Sequence, residues 1–326
     1  MSRPLRMGVV GIGHLGTIHL RNLLKLANVE VVGVFDSDPD RLHRAATSFP
    51  VRTYSSYKEL IEDSEAIDIV TPTITHYALA MEAIECGRHL FIEKPVTKTV
   101  DEARQLLEAQ QRHNVVIQVG HVERFNPAVQ ALMKASSPQP RYLEAHRLAP
   151  FRGRGIDVSV VLDLMIHDID LALWWIDAPF KEVRARGVAV LTSHPDIASA
   201  RLEFENGAVA NLTASRISLK NERKVRLFQS SQYVSIDLLH HQTAIYRLIE
   251  DTPAHRSAYP LHRQMGGQLV VAHFPAVPPV DAIAEELRTF VDAVRRQAEP
   301  PVTLHDAYAA IAVAYEVLEE VRRHLD

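Results

Sequence analysis

The sequence predicts an α/β domain with a doubly wound parallel sheet, followed by an α+β domain with an open, largely antiparallel β-sheet. Three observations support this division. A chain of 326 residues is longer than one hydrophobic core commonly organises. Strand-like and helix-like segments alternate up to Gly120, and the alternation then stops. Between Lys181 and Glu250, short β-branched runs follow one another with turn residues between them. We therefore place the domains at residues 1–121 and 122–326.

The composition excludes several classes of function. Hydrophobic residues make up 47% of the chain and charged residues 23%, as in ordinary globular proteins. A net charge of −4 gives no electrostatic reason to expect nucleic acid or an anionic membrane as a partner. No apolar run approaches the length of a membrane span, and the first strand begins without a signal peptide. Cys86 is the single cysteine, which fits a reducing compartment. We expect a cytoplasmic protein.

The segment 7–36 predicts a strand, a glycine-rich turn, a helix and a second strand. Gly11, Gly13 and Gly16 have the G-x-G-x-x-G spacing directly after the apolar pair Val9-Val10. The first glycine suits a tight turn, the second lets the backbone approach a pyrophosphate, and the third permits close helix–strand packing. The helix that follows directs its N–H groups and positive dipole end toward the phosphates. This pattern predicts a dinucleotide site, whereas the glycines alone would also fit a structural turn.

Asp36 extends the prediction to the choice of dinucleotide. It lies 20 residues after Gly16, where a carboxylate accepts hydrogen bonds from the adenosine ribose of NAD. The same carboxylate would repel the 2′-phosphate of NADP. His14 and Leu15 within the turn and Ser37 beside Asp36 are further predicted cofactor contacts. The cofactor expected for this Rossmann-type domain is NAD.

The rest of the first domain continues the alternation. Ligands of such sheets lie beyond the carboxyl ends of the strands, so the residues that follow each strand are the candidates for function. The predicted helices are Pro39–Ser48, Tyr57–Asp63, Thr75–Cys86 and Thr99–His113. The predicted strands are Ala66–Val70, His89–Glu93 and Val115–Gly120. The strand ends of interest are Gly11, Asp36, Thr71-Pro72, Glu93-Lys94-Pro95 and Gly120-His121.

Lys94 is the candidate with the most direct chemistry. Pro95 favours extended backbone in the residue before it, so Lys94 leaves the strand in a defined direction. Beside a bound nicotinamide, its ammonium group would stabilise charge that develops on a substrate oxygen. The alternative is a solvated lysine at a strand end. The position at the ligand-binding edge favours the catalytic interpretation.

The second domain begins with a helix that runs through Lys134 and a strand at Arg141–Arg147. A strongly apolar helix is predicted over Val158–Trp175, and Asn206-Gly207 predicts a hairpin turn. The further predicted strands are Val183–Leu191, Ala198–Glu205, Ala208–Ile217, Arg223–Gln229, Tyr233–Leu238 and Ala244–Ile249. The closing helices are predicted at Val280–Arg296 and Leu304–Leu325.

Asp163 and His167 form a candidate proton-transfer pair. Their i, i+4 spacing places them on one face of the predicted helix. Oxidation of a secondary alcohol needs a base, and histidine titrates near neutral pH. Asp163 would orient the imidazole or support Lys94. The pair also resembles half of a metal site, but no third ligand is suggested by the spacing, so we expect no metal.

Three motifs together resemble the Gfo/Idh/MocA oxidoreductases. They are the glycine-rich segment Gly11–Gly16, Thr71-Pro72 with His76, and Glu93–Thr97. The Glu-Lys-Pro tripeptide is the most specific of them. The resemblance implies catalysis by Lys94 together with the Asp-x-x-x-His motif. It also implies homodimers or homotetramers, because the open sheet forms subunit contacts in that family. The remaining residues assigned to the cofactor are Thr71, Pro72, His76, Glu93 and Lys94.

The basic residues of the second domain concern the substrate. Arginine side chains suit phosphate oxygens, although a solvated basic loop has the same composition. The segments 121–127 and 152–157 are similar to the nucleotide-sugar branch of the family. We expect an NAD-dependent dehydrogenase that oxidises a ring hydroxyl of a UDP-amino sugar. The alternatives are a free-sugar or inositol dehydrogenase and a non-catalytic NAD(H)-sensing protein. The predicted substrate contacts are Arg124, Asn126, Arg147, Arg152, Arg154 and His167.

Overall fold

The computed structural model describes residues 3–151, 153, 158–259, 262–277 and 279–324. The chain divides into two compact units. The N-terminal unit comprises Met1–Phe125 and Asp281–Ile311, and the C-terminal unit comprises Asn126–Val280 and Ala312–Asp326. The predicted division after residue 121 therefore differs from this grouping, since the segment 281–311 returns to the N-terminal unit.

The secondary structure alternates through the N-terminal unit and is mostly strand in the C-terminal unit. The strands are β1 (Leu5–Val10), β2 (Val29–Phe35), β3 (Ala66–Ile69), β4 (His89–Glu93), β5 (Ile117–Gly120), β6 (Tyr142–Leu148), β7 (Phe180–Val188), β8 (Ile197–Phe204), β9 (Val209–Ser215), β10 (Glu222–Gln229), β11 (Gln232–Asp237), β12 (Gln242–Glu250), β13 (His262–Met265) and β14 (Gln268–His273). The α-helices are α1 (His14–Leu23), α2 (Pro39–Ser48), α3 (Tyr57–Asp63), α4 (His76–Glu85), α5 (Val100–His113), α6 (Pro127–Ala135), α7 (Ile166–Ile176), α8 (Pro253–Ala258), α9 (Ala282–Arg296) and α10 (Leu304–Arg322). The shorter helical segments are 3₁₀ turns at Thr73–Thr75 and Val122–Phe125 and a π-helical segment at Val161–Met165.

The described residues of the N-terminal unit form a five-stranded parallel sheet in the order β2-β1-β3-β4-β5. Local signals start its helices as the sequence predicts. Asp38 caps α2 with Pro39 in its first turn, and Thr99 forms a capping box with Glu102 at the start of α5. Strands β1, β3, β4 and β5 are almost entirely buried, which explains their nearly continuous apolar runs, whereas the edge strand β2 is only partly buried.

Helix α9 completes the core of the N-terminal unit. Its side chains Leu287, Phe290 and Val291 are fully buried and pack in one cluster with residues of β1, α1 and β4. Phe290 meets Phe91 edge to face at 6.0 Å between ring centroids. The periodicity of the sequence predicts this helix but not the unit to which it returns.

The described strands of the C-terminal unit form a nine-stranded sheet in the order β13-β14-β12-β11-β10-β6-β9-β8-β7. The pair β6–β9 is parallel, and the other neighbouring pairs are antiparallel. The predicted fold class is therefore confirmed: an α/β domain plus an α+β domain. The sequence analysis missed α8, β13 and β14. Segments α8 and β13 are short and polar, whereas β14 contains an apolar run that went unrecognised.

The segment Val158–Trp175, predicted as one continuous helix, contains two helical segments of different types. The structure has the π-helical segment Val161–Met165 followed by α7, Ile166–Ile176. A π turn carries one more residue than an α turn, so it rotates every side chain that precedes it. Across the part of the chain that the structure describes, no helix is both long enough and apolar enough to traverse a lipid bilayer.

Candidate active site

The glycine-rich turn has the geometry of an anion cradle. Gly11 adopts φ +89°, which favours glycine. A Cβ on Gly16 would lie 1.9 Å from the carbonyl oxygen of Gly11, so a side chain there would separate α1 from β1. Gly13 caps α1 without a side-chain hydrogen bond among the described residues, which leaves the first N–H groups of the helix for a ligand. These features fit a dinucleotide pyrophosphate.

Asp36 is held rigidly at the end of β2. Its Oδ2 accepts the Ile12 N–H at 2.7 Å, and its Oδ1 accepts the Asp38 N–H at 2.9 Å. Each oxygen keeps a lone pair for a ribose hydroxyl. The Arg41 guanidinium lies 3.7 Å from Oδ2. The other predicted contacts in this region are accessible: His14 and Ser37 are exposed, and Leu15 is half-buried.

His76 joins two strand ends instead of facing solvent. Its ring is buried, with Nε2 2.8 Å from the Thr71 carbonyl oxygen and Nδ1 3.0 Å from the Pro95 carbonyl oxygen. Burial lowers the pKa of His76 despite these two acceptors. The ring therefore holds the segment after β3, which includes Thr71 and Pro72, close to the segment after β4. We assign His76 to this support and not to a direct cofactor contact.

The Glu93-Lys94-Pro95 turn places a half-buried lysine at the end of β4. Glu93 is buried, and its Oε2 accepts the Lys94 N–H at 3.1 Å. The Lys94–Pro95 peptide bond is cis. Burial alone would raise the pKa of the Glu93 carboxyl, but the neighbouring His19 and Lys94 hold it below its ordinary value. Glu93 thus acts as an ionised anchor for the backbone that carries Lys94.

A buried ionisable cluster lies behind this turn and was not identified from the sequence. It comprises His19 on α1, Asp68 on β3, Glu93 on β4 and Glu286 on α9. Of the four, only Glu93 is marked by its position at a strand end, whereas His19, Asp68 and Glu286 are marked neither by glycine spacing nor by a strand end. One signal was available, because Asp68 is an acidic residue inside a four-residue strand that is otherwise apolar. A charged residue in a strand buried on both faces needs a buried partner.

Asp163 and His167 lie in two different helical segments. Asp163 lies in the π-helical segment, whereas His167 lies in α7, and both side chains are half-buried. The continuous α-helix expected for this pair is therefore interrupted by a π turn. Their catalytic roles stay predictions, and the π-helical segment is a feature that often occurs at functional sites.

Three of the predicted substrate contacts are occupied within their own units. Arg147 forms a bidentate ion pair with Asp168 at 2.9 and 2.7 Å, and both side chains are 3% exposed. Arg124 is buried against Asp306 at 3.3 Å. Asn126 caps α6 and donates its amide to the Leu238 carbonyl oxygen at 3.0 Å. These contacts give the three side chains partners within the protein, and their roles toward a substrate stay predictions.

The remaining predicted phosphate contacts, Arg152 and Arg154, lie outside the described residues. The role of this Gly-containing basic loop in phosphate binding therefore stays a prediction from the sequence.

Two domain profiles match the chain. One describes an oxidoreductase family with an NAD-binding Rossmann fold and matches residues 5–121, and the other, the GFO/IDH/MocA C-terminal domain, matches residues 128–233. The chain belongs to the Gfo/Idh/MocA family of oxidoreductases.

Two relatives within the family extend this finding. A UDP-N-acetylglucosamine 3-dehydrogenase from Acidithiobacillus ferrooxidans is 38% identical over 300 residues, covering 89% of this chain and 88% of the relative. Its solved structure superposes with a TM-score of 0.89 at 35% identity and covers all of both chains. A myo-inositol 2-dehydrogenase from Thermotoga maritima is 26% identical over 98% of this chain and 97% of its own length.

As a member of the Gfo/Idh/MocA family, the chain is an NAD-dependent oxidoreductase. The observations at its N-terminal unit agree with that cofactor. The uncapped start of α1 and the missing Cβ atom at Gly13 suit the pyrophosphate, and the fixed Asp36 carboxylate suits the adenosine ribose. NAD supplies a hydride acceptor when it is bound.

Proposed function

We propose that this chain oxidises a secondary ring hydroxyl of a UDP-amino sugar. The observation that supports this substrate best is the 38% identical relative, a UDP-N-acetylglucosamine 3-dehydrogenase, whose structure matches this chain along its whole length. The family relationship alone leaves the substrate open, because its members act on several sugars and polyols. Similarity over both units, at this identity, favours the nucleotide sugar.

The chain provides a role for each catalytic candidate. In the proposed reaction, His167 accepts the proton of the substrate hydroxyl while the carbon loses hydride to the cofactor. The Lys94 ammonium stabilises the negative charge that develops on the oxygen as the carbonyl forms. Asp163 orients the imidazole of His167 or supports Lys94. The proton and the hydride thus leave the same alcohol, and a ketone remains.

The free-sugar and inositol alternative has its own support. The myo-inositol 2-dehydrogenase from Thermotoga maritima aligns with nearly the whole chain, although at lower identity. A non-catalytic NAD(H) sensor would not require Lys94, Asp163 and His167. All three hypotheses involve NAD(H), so a test of the substrate distinguishes them better than a test of the cofactor does.

The decisive measurement is NAD reduction with a panel of UDP-sugars, free sugars and inositols, accompanied by calorimetry with UDP in the presence of NAD. We expect turnover with a UDP-amino sugar and measurable UDP binding. Arg152→Ala/Arg154→Ala should weaken UDP binding at least tenfold, because charge-assisted hydrogen bonds are worth about 1.5–3 kcal/mol each.

The matched control is Arg184→Ala/Arg201→Ala, which removes two exposed arginines from β7 and β8 of the same unit. It removes the same charge and should leave UDP binding unchanged. An absence of UDP binding by the wild type at millimolar concentration, with turnover of inositol or a free sugar, would transfer the proposal to that alternative.

We also propose that the chain forms a homodimer or homotetramer through the open face of its nine-stranded sheet. One face of β6 and β10 is buried by Leu143, Val225 and Leu227, whereas the opposite face carries a row of touching aromatic rings. Neighbouring ring centroids in that row are 5.7, 4.9, 5.5 and 6.4 Å apart. An exposed aromatic stripe of this kind is typical of a protein interface. The row consists of Tyr142, Phe228, Tyr233, Tyr246 and Phe274.

Sedimentation at micromolar concentration tests this assembly. The wild type should sediment as a dimer or tetramer, and Phe228→Lys should shift it toward the monomer by placing a charge in the aromatic row. Leu219→Lys is the control, since Leu219 is 99% exposed outside the row. A monomeric wild type would overturn the proposed assembly.

A further inference from the structure

Four ionisable side chains meet inside the N-terminal unit, directly behind the turn that carries Lys94. His19, Asp68 and Glu286 have no exposed surface, and Glu93 is 8% exposed. They come from four different elements: α1, β3, β4 and α9. A buried charge costs several kcal/mol unless it is paired, so a cluster of this kind needs a structural or functional reason.

The His19 imidazole lies between two carboxylates. Its Nδ1 is 3.1 Å from Asp68 Oδ2, and its Nε2 is 3.2 Å from Glu93 Oε1. Burial alone would lower the pKa of His19, but the two carboxylates hold it well above its ordinary value. Each ring nitrogen therefore faces a carboxylate at ion-pair distance, the arrangement that favours an imidazolium, and an imidazolium has no lone pair for a metal ion, although His19, Glu93 and Glu286 lie close enough together to suggest one.

Glu93 transmits the position of this imidazolium to the catalytic turn. One carboxylate oxygen faces His19, and the other accepts the Lys94 N–H at 3.1 Å. The neighbouring strand leaves room for the carboxylate, because a Cβ on Gly120 would lie 2.9 Å from Glu93 Oε1. With both oxygens engaged, the Glu93 side chain fixes the direction in which the backbone leaves β4.

Glu286 completes the cluster without joining this chain of contacts. Neither of its carboxylate oxygens has a hydrogen-bond partner among the described residues. Burial and the nearby Glu93 charge raise the pKa of Glu286 well above the ordinary value, which favours the neutral carboxylic acid. Glu286 is therefore as fully buried as His19, but among the described residues it makes no hydrogen bond that links it to the Lys94 turn.

We propose that His19 is a positioning residue for catalysis: clamped between Asp68 and Glu93, it fixes the Glu93 carboxylate that holds the Lys94 backbone. This inference rests on the proposed role of Lys94. His19 lies on the helix whose N-terminus suits the pyrophosphate, so the clamp ties the Lys94 turn to the cofactor-binding helix. A displacement of about 1 Å in a catalytic group commonly costs about 10²-fold in rate.

His19→Gln tests the clamp, because a neutral amide has one nitrogen where the imidazole has two, and it lacks the positive charge of an imidazolium. We expect kcat, calculated from the concentration of NAD-binding sites, to fall at least tenfold. Loss of positioning produces an effect of this size. KM and the Kd for NAD should stay within about threefold, since His19 is fully buried and the glycine-rich turn and Asp36 keep their own contacts. In a Lys94→Ala background, His19→Gln should cause no further loss of kcat, because its effect is transmitted through Lys94.

Two further variants complete the design. Glu286→Gln changes a neighbouring, equally buried side chain and should leave kcat within about twofold, as expected when no hydrogen bond to the catalytic turn is lost. Asp68→Asn weakens the clamp from the other side and should lower kcat with the same dependence on Lys94. Asp68→Asn serves as the principal test where His19→Gln does not fold.

The outcomes separate this inference from the proposed function. A folded His19→Gln enzyme with wild-type kcat would overturn the clamp, as would losses from His19→Gln and Lys94→Ala that multiply in the double variant. One equivalent of divalent metal in the purified protein would also overturn it, because Nε2 cannot both ligate a metal and donate to Glu93. Wild-type kcat in Lys94→Ala alone would instead refute the role assigned to Lys94.

Discussion

Lys94→Ala and His167→Ala are each expected to lower kcat by about 10²-fold or more, the contribution of a positioned acid–base or charge-stabilising group. Lys94 would lose the ammonium that stabilises the developing oxyanion, and His167 would lose the proton acceptor. Both changes remove interactions that matter most in the transition state, so kcat and kcat/KM should fall together. Steady-state kinetics with the substrate identified from the panel measures both effects.

Cofactor binding provides the internal check for these variants. The glycine-rich turn and Asp36 do not depend on either side chain for their contacts. The Kd for NAD should therefore stay close to that of the wild type. Lys98→Ala and His240→Ala remove exposed residues of the same types and should leave kcat unchanged. Turnover near the wild-type rate in either catalytic variant would refute the role assigned to that residue.

The sequence predicted those parts of the site that local spacing encodes. Gly11, Asp36 and the Glu-Lys-Pro turn each lie at a strand end, and the parallel sheet collects such ends at one edge. Glycine conformations and proline effects are decided by neighbouring residues, so a single sequence reveals them. The fold class could be predicted for the same reason, since periodicity and turn residues are local signals.

The partners of buried charges could not be predicted in this way. Arg124 and Arg147 looked like phosphate ligands because the sequence does not show whether an arginine pairs with a bound phosphate or with a carboxylate side chain of the protein. Arg124 pairs with Asp306, which arrives with a segment from the far end of the chain. The His19 cluster has the same origin, because Glu286 comes from that returning segment.

The π-helical segment escaped prediction for a different reason. An extra residue in one turn leaves the run Val158–Trp175 as apolar as before, so composition cannot distinguish it from a continuous α-helix. Its effect is confined to the direction of the side chains.

Arg147→Met should destabilise the C-terminal unit by about 3–5 kcal/mol, the usual cost of leaving one charge of a buried pair without its partner. Arg147 and Asp168 are both 3% exposed and share two short hydrogen bonds. The remaining Asp168 carboxylate would stay buried on α7. Both tryptophans of the chain, Trp174 and Trp175, also lie on α7, so their fluorescence during urea unfolding reports on this unit.

Two further variants separate this loss from a general effect of substitution. Arg147→Met/Asp168→Leu removes both charges and should recover most of the lost stability, because apolar replacements of a buried ion pair are often neutral or stabilising. Arg201→Met breaks an exposed pair with Glu203 and should cost less than about 1 kcal/mol. Should Arg147→Met keep wild-type stability yet lose affinity for UDP, the arginine would contact the phosphate directly, as the sequence first suggested. A stability loss that the double variant reverses would instead identify the pair as the anchor of the helix that carries His167.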